Sequence, residues 1–161
     1  MWFRNLQLYR LNQAFTHTAE QLQEILQTHA FKPCAGLDTH SIGWVPPLGR
    51  QSELLVHAAN GRLMLCLRRE ERLLPGAVIS EALAEKVESI EAGEARPVGR
   101  KEKQQLKDEI IVDLLPRAFT RSRHLYTYID PRADWIVIDA SSAKPAEELL
   151  SLLRESLGSL K

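Results

Sequence analysis

The feature that most constrains this chain is a double change of hydrophobic period. Apolar residues fall in short strand-like runs up to Pro75-Gly76, switch to helical spacing, and return to strand spacing from Phe119. A half-buried strand needs an apolar residue at every second position and an amphipathic helix at every third or fourth, so neither pattern can do the other's work. The stretch between the two breaks therefore reads as a helical piece set into a β-rich chain. Within it Ile79, Leu83, Val87 and Ile90 mark one helix ending near Gly93, the segment AGEARPVG interrupts, and a second helix runs from near Arg100 to Pro116. Two helices joined by a short Gly/Pro turn form an αα-hairpin.

The flanks read as sheet with two further helices. Residues 3–11 predict a strand, and Thr18 with Gln21 three positions on forms a capping box that opens a helix carrying Leu22, Ile25, Leu26 and His29. From 32 to 51 the Pro and Gly content rises, which predicts a loop with a short strand around Ile42 to Val45. Asn60-Gly61 then separates the apolar runs Leu54–Ala59 and Leu63–Leu67, a strong signal for a tight hairpin. A second hairpin is predicted where HLYTYID and WIVIDA flank residues 130–134. The last helix runs from about Ala143 to Leu157, with Leu149, Leu150, Leu153 and Leu157 inward and Gly158 as its stop. The expected fold is α+β: an antiparallel sheet packed with helices and interrupted by a helical-hairpin finger. The expected division is a body of 1–76 and 120–161 with a finger insertion at 77–119.

Several function classes are disfavoured by composition. With 161 residues and 44% hydrophobic content the chain can bury a core without covalent staples. Cys34 and Cys66 match neither a disulfide framework nor a zinc site, which predicts reduced thiols in a cytoplasmic protein. Arg4 and Arg10 interrupt the N-terminal apolar stretch and argue against a signal peptide. Uncharged apolar runs such as Leu63–Leu67 are far too short to span a bilayer, so no membrane partner is expected. The five histidines, at 17, 29, 40, 57 and 124, show no metal-ligand spacing, and no nucleophile elbow or phosphate-binding glycine loop is present. No metal, cofactor or catalytic residue is expected. His57 reads as a hydrogen-bonded sheet residue, Trp44 with Pro46 and Pro47 as a packed turn. Glu70-Glu71, Asp108-Glu109 and Glu147-Glu148 read as surface charges, because sequence neighbours point apart.

Charge carries the positive signal. The totals cancel, 21 basic against 21 acidic, yet residues 96–124 hold eight cations against four anions. The cations are Arg96, Arg100, Lys101, Lys103, Lys107, Arg117, Arg121 and Arg123, and all eight are candidate DNA contacts. On a helix of about 100° per residue, Arg100, Lys103 and Lys107 fall within about 60° of one another. The same stripe continues into Ile110 and Leu114, as expected of a helix solvated in its first turns and buried in its last. Solvated intrahelical pairing is the plain alternative. Phe119, between Arg117 and Arg121, either packs under its loop or, if exposed, serves as a dimer contact or a wedge at a DNA step.

The stretches MWFRNL at the start, GWVPPLG at 43–49, HAANG at 57–61, RREERLLPG at 68–76, KEKQQLKDEI at 101–110, LLPRAF at 114–119 and SAKPAEELLSLLRESLGSL at 142–160 together resemble the RdgC family along the whole chain. That resemblance implies a nucleoid-associated protein that binds double-stranded DNA with little sequence preference and restrains RecA filament activity. It also implies a ring-shaped homodimer with an inserted finger at this point in the chain. Members of that family are about twice as long, so the second dimer contact and part of the basic lining would lie outside the present sequence. The alternative from another class is a protein-interaction module whose basic finger docks an acidic partner or a second subunit.

Overall fold

In a computed structural model, described here for residues 2–160, the chain forms six strands and four helices. In chain order these are β1 (Leu6–Arg10), α1 (Ala19–Gln27), β2 (His40–Val45), β3 (His57–Ala59) and β4 (Arg62–Leu73). They continue with α2 (Gly76–Glu94), α3 (Arg100–Leu114), a 3-10 turn (Leu115–Arg117), β5 (Phe119–Asp130), β6 (Trp135–Asp139) and α4 (Ala143–Leu157). The strands make one antiparallel sheet ordered β1-β6-β5-β4-β2, with β3 hairpinned onto β4. The α+β expectation holds.

The chain divides into two compact units. Among the described residues the first comprises 2–32, 42–69 and 122–160; the second comprises 33–41 and 70–121.

The first unit owes its core to strand alternation met by two amphipathic helices. Leu63, Leu65 and Leu67 of β4, Ile129 of β5, and Ile136 and Ile138 of β6 lie in one buried cluster with Leu22 and Leu26 of α1 and Leu149 and Leu153 of α4. The Thr18 capping box forms as read, with the Thr18 hydroxyl accepting from the Gln21 N–H and the Gln21 side chain accepting from the Thr18 N–H. Asn60 and Gly61 both take positive φ, 52° and 75°, the geometry a two-residue hairpin of matching twist requires. Asp130 ties the second hairpin by accepting from the N–H groups of Arg132 and Ala133. Gly158 ends α4 in the left-handed region.

Three local readings are corrected here. Of the run Leu54–Ala59 only His57–Ala59 joins the sheet, because the Gln23 side chain takes the N–H groups of Leu55 (2.6 Å) and Val56 (3.0 Å) and holds them off the ladder. Trp44 is packed, as read, but in strand β2 and not in a turn: it is fully buried and its indole donates to the Ser156 hydroxyl at 3.1 Å. Glu70 is not a surface charge: it is only 5% exposed, in the second unit, and its carboxylate accepts the Cys34 N–H at 3.0 Å. Strand alternation still separates it from Glu71, which pairs with Arg121.

In the second unit α2 and α3 pack on each other. Helix α2 runs one residue past Gly93 and closes at Ala95, which adopts φ 50°. An alanine in the left-handed region costs about 1–2 kcal/mol, and Arg96 offsets this by bridging both sides of the turn, to Glu94 and to Glu102. Pro116 does not stop the chain abruptly. It sits inside the 3-10 turn after α3, where its missing N–H is tolerated.

Candidate nucleic-acid interface

Seven of the eight candidate cations belong to the second unit, and Arg123 belongs to the first. They divide by what they already touch. Arg96 is held by two carboxylates, bidentate on Glu102 at 2.8 Å to each oxygen, with Glu94 on its Nε. Those bonds push its guanidinium further above its ordinary value and hold the Glu102 carboxyl below its own. Arg121 is paired with Glu71, and the Arg117 Nε donates to the Asp113 carbonyl at 3.3 Å. These three are committed within the unit.

Arg100, Lys101, Lys103 and Lys107 differ. Each is exposed, and among the described residues none has a side-chain hydrogen bond or ion pair. All four lie in the first two turns of α3, whose buried side is made by Leu106 and Ile110. The stripe inferred from sequence is thus half right. Ile110 is buried and Leu114 half-buried, but Leu106, just outside that stripe, makes the earlier buried contact and turns Lys103 and Lys107 to the rim of the helix. Lys103 also lines an open groove along α2 with Ser80, Leu83, Val87 and Glu91. Of the acidic neighbours, Glu102 is paired with Arg96 and Glu109 with Lys86 at 3.5 Å, while Asp108 accepts from the neutral Gln104 amide at 3.0 Å and keeps its charge, and Glu88 and Glu91 line the groove beside Lys103.

Phe119 opens β5 at 87% exposure, so it does not pack under its loop. Strand alternation sets it on the same face as Arg121 two residues on. Sequence alone left burial and exposure open for this residue.

Sequence reading also missed features of the first unit. Arg68 stacks over the Phe31 ring at 4.3 Å and donates from Nε to the Ser122 hydroxyl. His124 lies near enough to Arg68 and Arg50 that partial burial and their positive charge lower its pKa. Contacts between residues this far apart in sequence leave no local signal. Among the described residues, no group of three or more His, Cys, Asp or Glu side chains has the geometry to hold a metal ion, and no helix is long and apolar enough to cross a membrane.

Fold and charge together define an α+β protein whose chain includes a helical hairpin, the second helix of which opens with a cluster of exposed cations. The chain belongs to the RdgC family: the family model described as "Putative exonuclease, RdgC" matches residues 1–161. It is 48% identical over 160 residues to the recombination-associated protein RdgC of Tolumonas auensis and 49% identical over 160 residues to that of Aeromonas hydrophila. The counterpart from Edwardsiella ictaluri is 46% identical. Each match covers 99% of this chain and 53% of the relative, so the chain spans about half the length of the curated relatives it matches.

Proposed function

We propose that this chain binds double-stranded DNA without sequence preference, through phosphate contacts made by α3, and acts in recombination by occupying duplex. The observation that carries this reading is the set Arg100, Lys101, Lys103 and Lys107, exposed and without ion pairs among the described residues in a chain of zero net charge. Lysine and arginine on phosphates fix position but read no bases. Of the two amide side chains on α3, Gln104 is engaged with Asp108, which leaves Gln105 as the one amide beside the cations among the described residues. The helical finger at 77–119 is the DNA-contacting part, with Arg96, Arg117, Arg121 and Arg123 extending its field, and 1–76 with 120–161 is the body that carries it.

In this reading the chain is a binder and not a catalyst. Metal-assisted phosphodiester cleavage draws on carboxylates that converge on the ion, whereas three of the four acids of α3, Glu102, Glu109 and Asp108, are bonded to Arg96, Lys86 and Gln104. The relatives named as recombination-associated support the process. Coated duplex is a poor substrate for RecA filament exchange, which gives the proposed restraint of RecA a physical basis. The proposed site of action is the nucleoid in the cytoplasm, as a homodimer in the full-length family. Phe119 favours a second reading, in which its exposed ring docks a second subunit.

Binding to two labelled duplexes of unrelated sequence, measured across a salt series, tests the proposal. The expected result is equal affinity for both, with log K falling linearly with log salt at about −0.9 per phosphate contacted. A preference above about a hundredfold for one sequence would place the protein near specific binders and overturn it. Shortening of an end-labelled duplex in magnesium or manganese would overturn the binder reading.

A further inference from the structure

The two edges of the sheet are finished differently. At the β2 edge, residues 29–31 lie alongside: the Phe31 N–H donates to the Trp44 carbonyl at 2.9 Å, and the Trp44 N–H to the His29 carbonyl at 3.0 Å. Gly43 permits this close approach, since a Cβ there would sit 2.4 Å from the Phe31 Cα. That edge is covered by the chain itself.

At the other edge β1 pairs only with β6, in the register Leu6 to Asp139, Leu8 to Val137 and Arg10 to Trp135. The Leu11 N–H donates to the Asp134 carbonyl at 2.8 Å, which sets the phase of the ladder. In an antiparallel pair, alternate residues turn both backbone groups toward the same neighbour. Gln7 and Tyr9 therefore bond to β6, and Leu6, Leu8 and Arg10 turn their N–H and C=O groups outward. No described residue meets those outward groups. Leu6 and Leu8 are also 55% and 58% exposed. Natural edges are blunted by charge, shortness, proline, a bulge or a covering segment; LQLYR is five residues long with no proline, and its one charge, Arg10, stands at its end and leaves Leu6 and Leu8 open.

Charge says what would fit. Arg4 and Arg10 bracket the leucines, and both are exposed without a side-chain partner among the described residues. The carboxylate of Asp139, opposite Leu6 in the ladder, accepts the backbone N–H groups of Arg4 at 3.1 Å and Asn5 at 2.9 Å. We propose that β1 is a docking edge that receives an extended acidic segment of a protein partner, added to the sheet as a further strand. Such a segment carries two alternate apolar residues for Leu6 and Leu8, bracketed by aspartate or glutamate for Arg4 and Arg10. A second copy of this chain fits less well. The antiparallel register that sets Leu6 against Leu8 in both directions also sets Arg4 against Arg10, and like charges directly opposite destabilise a pair.

The probe is a fluorescent peptide, Glu-Thr-Val-Thr-Val-Thr-Glu, titrated with the whole chain, and the control is the same peptide N-methylated at both valines, which removes the N–H groups that face Leu6 and Leu8 in an antiparallel addition. The expected result is saturable binding of the first peptide, weakened about tenfold or more in the N-methylated control and in the Leu8→Lys variant. Leu8→Pro should do the same without unfolding, because the Leu8 N–H faces away from β6. Arg4→Gln with Arg10→Gln should weaken binding and remove its salt dependence. No binding, or equal binding of the control peptide or of Leu8→Lys, overturns the proposal. A dimer in sedimentation that Leu8→Lys converts to monomer would assign the edge to a second copy instead. Loss of duplex affinity in Leu8→Lys would assign it to nucleic acid.

Discussion

The two compact units are built to different standards. In the first, Leu22, Leu26, Leu65, Ile129, Ile136, Ile138, Leu149 and Leu153 are all but sealed from water. In the second, α2 spans 19 residues without one buried side chain, and α3 buries only Leu106 and Ile110. Stability follows buried apolar area at roughly 25 cal/mol per Å², so the first unit holds itself together and the helical hairpin holds much less. The candidate DNA-binding cations sit on the weaker element. A surface that must meet a long, irregular polyanion gains from side chains left in water, and those side chains add nothing to a core.

The largest expected effect breaks this comparison from the side of the first unit. Leu26→Ala should cost about 2–5 kcal/mol in denaturant unfolding, as for large-to-small changes in a closed core. Leu83→Ala, on the half-buried stripe of α2, should cost well under half as much. Equal losses would show that the hairpin is as tightly packed as the sheet. Amide exchange sharpens the same contrast: protection in α1 and α4 should exceed that in α2 by orders of magnitude.

Next in size is the charge of α3. Lys103→Ala with Lys107→Ala should weaken binding to every duplex alike and reduce the salt slope by about two, with thermal unfolding unchanged because both side chains are exposed. Arg96→Ala should lower affinity less, since its charge is already shared with Glu94 and Glu102. Phe119→Ala should leave the circular dichroism and melting temperature intact, given an exposed ring. It should shift any self-association seen in sedimentation toward monomer and reduce DNA affinity through lost avidity. Loss of folded signal would contradict the exposure.

The smallest effect is set by pH. Arg96 holds the Glu102 carboxyl below its ordinary value, so the clasp is fully present above the unfolded carboxylate range and is lost as pH falls through the depressed value. Amides of residues 95–99 should therefore exchange faster in acid, relative to α3, than at neutral pH. Both partners are open to solvent, so global stability should scarcely register the change.

Local chemistry was legible wherever the answer lay within a few residues. The Thr18 capping box, the Asn60-Gly61 turn, the Gly158 stop and the two changes of period specify backbone geometry through neighbours in sequence, and each formed as read. The ends of α2 and α3 were less legible, because α2 closes on Ala95 at positive φ and α3 runs on into a 3-10 turn through Pro116, neither of which propensity favours. What only the tertiary structure decided is which side chains have partners. Glu70 looked like a surface charge until the chain brought Cys34 onto it, 36 positions away. Arg121 was indistinguishable from Lys103 until Glu71 arrived from 50 positions away. The exposure of Phe119, and the open backbone of β1 beside a covered β2, likewise depend on what the rest of the chain places nearby. Sequence determines the period and the turns because those energies are local. Pairing, burial and free charge are set by distance in space, and only the folded chain supplies that.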